Sequence, residues 1–331
     1  MCSTGASGLE SAAGVIYAQL VAGFIYLLGG GDLLVRGAVA LARRTGVPSA
    51  LVALTVVGLG TSLPELVVSV RAAVTGSAGL ALGNVVGSNI ANVLMVGGVA
   101  AIVFPLRTTE SSIRRSGGLM LLVTAAFVVI CAWGSSVSRL DGGLLIGALL
   151  VGTLLTARAA LGNRTAEMQT PIEWVLGLPT QPGTIVLFIG IGVVVLPLGA
   201  DLLVGAATQI AGRIGVSDTI IGLTVVAVGT SLPEVATTVV AGLRRKTVMV
   251  VGTLVGSNMF NILAIMGVAA IASPEPIAVP GRSLALDLPV MALASLTLVG
   301  FAFLRRPIRR RTGIVFVAVY AVYVGVLYGL G

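Results

Sequence analysis

The chain has no histidine, only two cysteines, and charged residues at just 10% of its 331 positions. Without histidine there is no imidazole to serve as a metal ligand or as a general base. Cys2 and Cys131 are too few and too far apart for a disulfide framework or a thiolate site. An ordinary soluble domain carries about 25% charged residues. Here the polar stretches are short loops, and none has room for a soluble domain. Lysine occurs once, at Lys246, and arginine supplies the other cations. That bias reads as genome composition and not as function.

What is present is apolar surface, 56% of all residues. It runs in blocks of about 20 residues, the length that crosses a bilayer as a helix. In lipid every backbone polar group needs an internal partner, so such blocks are expected to be helical. The blocks predict helices at about 14–42, 49–74, 79–105, 117–135, 141–161, 182–212, 218–243, 247–273, 284–304 and 312–330. The expected fold class is therefore an all-α integral membrane protein with ten transmembrane helices. The division between the fourth and fifth helices, near Gly134-Ser135-Ser136, carries the weakest signal. The first block runs past signal-peptide length, so no cleavable leader is expected.

The net charge of +8 raises the question of nucleic acid. The positive charge sits at helix ends, which explains it without such a partner. One set of loops carries Arg43, Arg44, Arg107, Arg244, Lys246 and a five-arginine run over 305–311, whereas the other carries only Arg71, Arg139, Arg213 and Arg282. This asymmetry assigns the first set to the cytoplasm. Both termini are then extracytoplasmic, and the protein is expected in the plasma (inner) membrane. The arginine run over 305–311 also suits anionic lipid headgroups.

An internal repeat organises the chain. Residues 31–102 align with 200–271 without a gap at an offset of 169, with about 33 identities in 72 positions. GTSLPE stands at 60–65 and 229–234, and VGSN at 86–89 and 255–258. Asp32 and Asp201 are equivalent, and their role is left open between serving a mobile helix and satisfying a helix end. Five helices separate equivalent positions, so the second copy enters the membrane from the opposite side. The expected organisation is a five-helix repeat at 1–161, a cytoplasmic linker at 162–181 and an inverted five-helix repeat at 182–331. Inverted repeats of this kind characterise secondary transporters, with the site near the midplane at their interface.

The repeated residues are polar and lie inside apolar helices. Glu65 and Glu234 are intramembrane carboxylates, which are costly and functional by default. Thr61, Ser62, Glu65 and Ser69 share one helical face by their spacing. Pro64 lacks an N–H and disturbs the bond to the carbonyl one turn earlier, which can free carbonyls near Gly60 and Thr61. Thr230, Ser231, Pro233 and Glu234 repeat the arrangement. The next helix of each copy offers Ser88 and Asn92, or Ser257 and Asn261, one turn apart. Glycines 83, 87, 252 and 256 predict close helix approach. Carboxylate, hydroxyl, amide and backbone oxygens together suit hard cations and disfavour zinc or copper. Two carboxylates and a flexible oxygen cage favour Ca2+ over Mg2+, with Na+ also accommodated.

At these residues the sequence resembles the calcium/cation antiporter superfamily, specifically its sodium/calcium exchanger type. GTSLPE followed by GNVVGSNIAN, then GTSLPE followed by GTLVGSNMFN, is similar to that family's paired alpha repeats. The resemblance covers 32–103 and 201–272. It implies exchange of cytosolic Ca2+ for external Na+ by alternating access, net charge movement across the membrane, and no cofactor beyond the transported ions. By motif position, Glu65, Glu234, Thr61 and Thr230 would form a central Ca2+ site. The Gly58 carbonyl, Ser62 and Ser88 would join Glu65 at one Na+ site. The Ala227 carbonyl, Ser231 and Ser257 would join Glu234 at another, and Asn92 and Asn261 would line the middle. Some microbial relatives have Asp where this chain has Asn261, so the centre is less acidic here. Asn84 is matched by Thr253, a second asymmetry. The 162–181 loop is too short for the calcium-sensing domain of animal exchangers. Glutamates also carry protons, so proton/calcium antiport is the nearest rival, and a passive cation channel is another. An intramembrane protease is disfavoured, because Lys246 sits at a helix end where it cannot form a buried Ser-Lys dyad.

Overall fold

The computed structural model describes residues 4–47, 49–162, 177–213 and 227–329. The described residues are almost wholly helical. Helix α1 spans Thr4–Thr45, and α2 (Ala53–Thr61) and α3 (Leu63–Val74) form a pair bent by 52°. There follow α4 (Ala78–Val103), α5 (Ser111–Gly134) and α6 (Arg139–Gly162). The second half contains α7 (Pro182–Arg213), the single turn α8 (Ala227–Thr230), α9 (Leu232–Leu243), α10 (Thr247–Ala272), α11 (Ser283–Phe303) and α12 (Arg310–Gly329). Seven described helices are long and apolar enough to cross a membrane, or eight if the bent pair is one span. The start of the helix expected at 218–243 and most of the 162–181 linker lie outside the described residues.

Two boundaries differ from the hydropathy reading. Helix α1 begins at Thr4 and α5 at Ser111, each well before the apolar block. Hydropathy marks where lipid begins, whereas a helix continues into polar surroundings while its own ladder holds. The division between α5 and α6 falls where expected, at Ser135, whose φ of 47° is left-handed and ends the helix.

The polar periphery also contains β-structure that periodicity did not anticipate. Strand β1 (Ser136–Val137) pairs antiparallel with β2 (Ile277–Ala278). Beyond the other end of α5, Leu106 and Ile308 form an isolated bridge. All of Leu106, Val137, Ile277 and Ile308 are fully buried. Thr108 adds a hydrogen bond from its hydroxyl to the Arg306 carbonyl at 2.7 Å. Segments of one or two residues have no alternation to detect, which is why sequence missed them.

Helices α4 and α10 make the centre. Their most apolar stretches are 83% and 78% buried, against 33% for α1 and 28% for α7. Helices α1 and α7 lie against each other along a seam of glycines. A Cβ on Gly192 would come within 2.8 Å of the Gly30 carbonyl, and one on Gly199 within 3.0 Å of the Gly23 carbonyl. Small residues let the two backbones approach this closely. The expected close approach recurs at Gly256, but no described residue lies within 4 Å of a Cβ built on Gly83 or Gly87. Among the described residues those two glycines have the spacing but no close neighbour.

Asp32 and Asp201 separate in role. The Asp32 carboxylate accepts hydrogen bonds from Arg244 Nε at 2.6 Å, from Arg244 Nη2 and from Arg36 Nη1 at 3.3 Å. It ties α1 to the end of α9. Exposed Asp201 has no hydrogen bond or ion pair among the described residues, since position 75, equivalent to Arg244, is a threonine. Asp32→Ala is expected to destabilise the purified protein by about 1–2 kcal/mol. Asp201→Ala should stay within about 0.5 kcal/mol. Paired thermal unfolding midpoints in detergent check both.

Candidate functional site

The motif GTSLPE builds the same broken helix twice. Ser62 leaves helical geometry at φ −86° and ψ 6°, and Ser231 does so at φ −91° and ψ 3°. Pro64 and Pro233 fall in the first turn of α3 and α9, where a missing N–H leaves no bond unmade. Each proline therefore starts a new helix and does not merely kink an old one. Glu65 and Glu234 then lie in the first turns of α3 and α9, where the helix dipole favours negative charge. The Gly58 carbonyl accepts the Ser62 N–H at 3.1 Å and the Thr61 hydroxyl at 3.3 Å. Ala227 and Thr230 bound α8, the turn before the second break.

These segments converge at the centre of the molecule. A Cβ on Gly58 would lie 3.0 Å from the Ser257 amide nitrogen, and one on Gly256 would collide with the Leu54 carbonyl oxygen. The backbone of α2 thus rests on the backbone of α10, one copy against the other. Glu65 and Glu234 come within electrostatic range of each other. The Thr61 and Ser62 hydroxyls sit beside the Glu234 carboxylate, although neither Glu234 oxygen has a hydrogen bond of normal geometry. The contacts run between the copies.

Burial here is extreme for polar groups. Glu65 is 2% exposed and Glu234 1%. Thr61, Ser62, Ser88, Asn92, Ser231, Ser257 and Asn261 are all buried, and Thr230 is half-buried. Ser62, Ser231 and Ser257 have unpartnered hydroxyls, and Glu65, Asn92 and Asn261 have unpartnered side-chain oxygens. Buried polar atoms without partners cost about 1–3 kcal/mol each, and native proteins keep few. Most such atoms among the described residues belong to this one region. It offers oxygen ligands only, and no group of three or more His, Cys, Asp or Glu occurs among the described residues. A hard cation matches that chemistry.

Three π-helical turns adjoin the cluster. One, Ala53–Val57, ends against Gly58, and the others begin at Asn92 and at Asn261. A π turn inserts an extra residue and loosens the ladder, a feature found often at functional sites. Sequence reading at a constant 3.6 residues per turn had no means to see them. It also passed over Asn89 and Asn258, which are fully buried with unpartnered Oδ1 atoms. Their signal was available, since both close the repeated VGSN.

The family model described as sodium/calcium exchanger protein matches residues 15–157 and 184–329. The chain belongs to the sodium/calcium exchanger family. Among curated relatives, sodium/calcium exchanger MaX1 of Methanosarcina acetivorans is 31% identical, over 93% of this chain and 97% of that protein. Inner membrane protein YrbG of Escherichia coli is 34% identical over 95% and 97%. The fold matches the sodium-calcium exchanger NCX_Mj, in a structure soaked with 10 mM Na+ and 10 mM Sr2+, at a TM-score of 0.78. That match has 29% identity and covers 94% of this chain and 98% of the other. This exchanger-family member is a multi-pass membrane protein, and its family is one of cation antiporters, not of enzymes.

Proposed function

We propose that the protein exchanges Na+ for Ca2+ by alternating access, moving net charge and extruding Ca2+ from the cytoplasm across the inner membrane. Its ten spans would form two inverted five-helix repeats, 1–161 and 182–331, joined by a cytoplasmic linker at 162–181, with both termini outside. The single observation that carries the reading is the pair of buried glutamates, related by the repeat and within electrostatic range, among unpartnered oxygens.

Glu65 and Glu234, with Thr61 and Thr230, hold Ca2+ at the centre. Gly58, Ser62 and Ser88 serve Na+ with Glu65, and Ala227, Ser231 and Ser257 serve Na+ with Glu234. Asn92 and Asn261 line the middle. Because both ions need the same carboxylates, they compete. A loaded site has its charge cancelled and can pass through an occluded state, whereas an empty one keeps two bare carboxylates and crosses poorly. Exchange follows, and leak does not. A Na+-loaded proteoliposome diluted into Na+-free buffer should accumulate radioactive Ca2+. Uptake driven instead by a pH gradient without Na+ would make the protein a proton antiporter, and uptake without any counter-ion would make it a channel.

A further inference from the structure

Asn84, Ser88 and Asn92 recur every fourth residue along α4 and so share a face. The last two belong to the site proposed above, and Asn84 stands one turn before them. Its side-chain Nδ2 donates to the backbone carbonyl of Glu65 at 3.2 Å and to the Ser69 hydroxyl at 2.8 Å. The ligand-bearing face of α4 is thereby tied to the backbone of the residue that carries the carboxylate.

The second copy lacks this tie. Asn84 is replaced by Thr253, whose side chain carries one donor and reaches less far. No hydrogen bond joins Thr253 to α9 among the described residues. The carbonyl of Glu234 is taken from within its own helix, by Thr238 Oγ1 at 2.7 Å and Thr237 Oγ1 at 3.1 Å. Thr238 stands where the first copy has Ser69. One copy therefore joins its two ligand helices by a side-chain amide, and the other satisfies the same carbonyl locally and leaves the helices untied.

We infer that Asn84 is a positioning residue that holds Glu65 in register with Ser88 and Asn92, so that the Glu65 half of the site is preset while the Glu234 half adapts to the ion. Groups that orient metal ligands without touching the metal typically change affinity by about 10- to 100-fold when removed. A residue of this kind alters how well the cation is held. A packing residue alters how much protein folds.

The inference rests on the exchange reading, and one set of measurements separates the two. Na+-driven Ca2+ uptake is measured against Ca2+ concentration, together with thermal stabilisation of the purified protein by Ca2+. Asn84→Ala and Asn84→Thr should raise half-saturating Ca2+ about tenfold in both assays, with the maximal rate within about twofold of wild type. Thr253→Ala should leave half-saturation unchanged. Should Asn84→Ala fail to purify as a single species, Ser69→Ala removes one of the amide's two partners and should give a shift of about threefold. Unchanged half-saturation in the Asn84 variants, or lost stability and rate without an affinity shift, overturns the positioning role. If such variants come beside an active wild type and an inactive Glu65→Gln, the exchange reading stands without it. A wild type that neither takes up Ca2+ nor is stabilised by it overturns both.

Discussion

Glu65→Gln and Glu234→Gln are each expected to abolish Na+-driven Ca2+ uptake while leaving insertion and folding intact. Glutamine keeps the volume and one carbonyl oxygen, but it removes the charge and replaces the second ligand oxygen by an NH2 donor. Both carboxylates are at most 2% exposed, so water cannot stand in for it. Removing one partner of a buried charge pair costs about 3–5 kcal/mol, which is on the order of 10²- to 10⁴-fold in ion affinity. The unpartnered oxygens around the centre are neutral and cannot compensate. Monodisperse elution on size exclusion establishes folding, and the liposome assay reads exchange. Full activity in either variant would remove that residue from the site.

Gly256→Ala should be strongly destabilising. The added Cβ would run into the Leu54 carbonyl oxygen and crowd its Cα, which is 2.7 Å away. These are backbone atoms and cannot rotate aside. Overpacking in a well-filled core costs about 1–3 kcal/mol and occasionally more, and the gain of about 1 kcal/mol from replacing glycine in a helix does not offset it. Gly83→Ala is the matched control, because its Cβ would meet no described atom within 4 Å. We expect the thermal midpoint to fall steeply for the first and to hold or rise for the second. Equal behaviour would mean that the α2–α10 contact is not held in solution.

Much of this was legible because the chain states it twice. GTSLPE at two positions identified Glu65 and Glu234, and the apolar runs located the helices that carry them. The left-handed Ser135 lies where the hydropathy signal dipped. What stayed hidden depends on contacts and not on composition. Asn84 looked like a mismatch between copies, because the bond to Glu65 is made by a side chain reaching another helix. Asp32 and Asp201 read alike until the structure placed Arg244 beside only the first. Gly83 and Gly256 have the same spacing in sequence, yet among the described residues only Gly256 of the two faces a backbone. The break at Ser62 was visible as a proline signal, but its effect, a fresh helix start beneath each glutamate, follows from where the proline falls in the turn.

The β contacts at the two rims would constrain the exchange cycle proposed above. Leu106 and Ile308 exchange backbone hydrogen bonds of 3.0 and 3.1 Å at one end of α5, and β1 pairs with β2 at the other. Opening the halves like a clamshell would have to unzip both fastenings. Shear along the glycine seam of α1 and α7 would leave them closed, since neither fastening involves those two helices. In the exchange cycle proposed above, the rims would then serve as a fixed chassis and α1 with α7 as a runner along its flank.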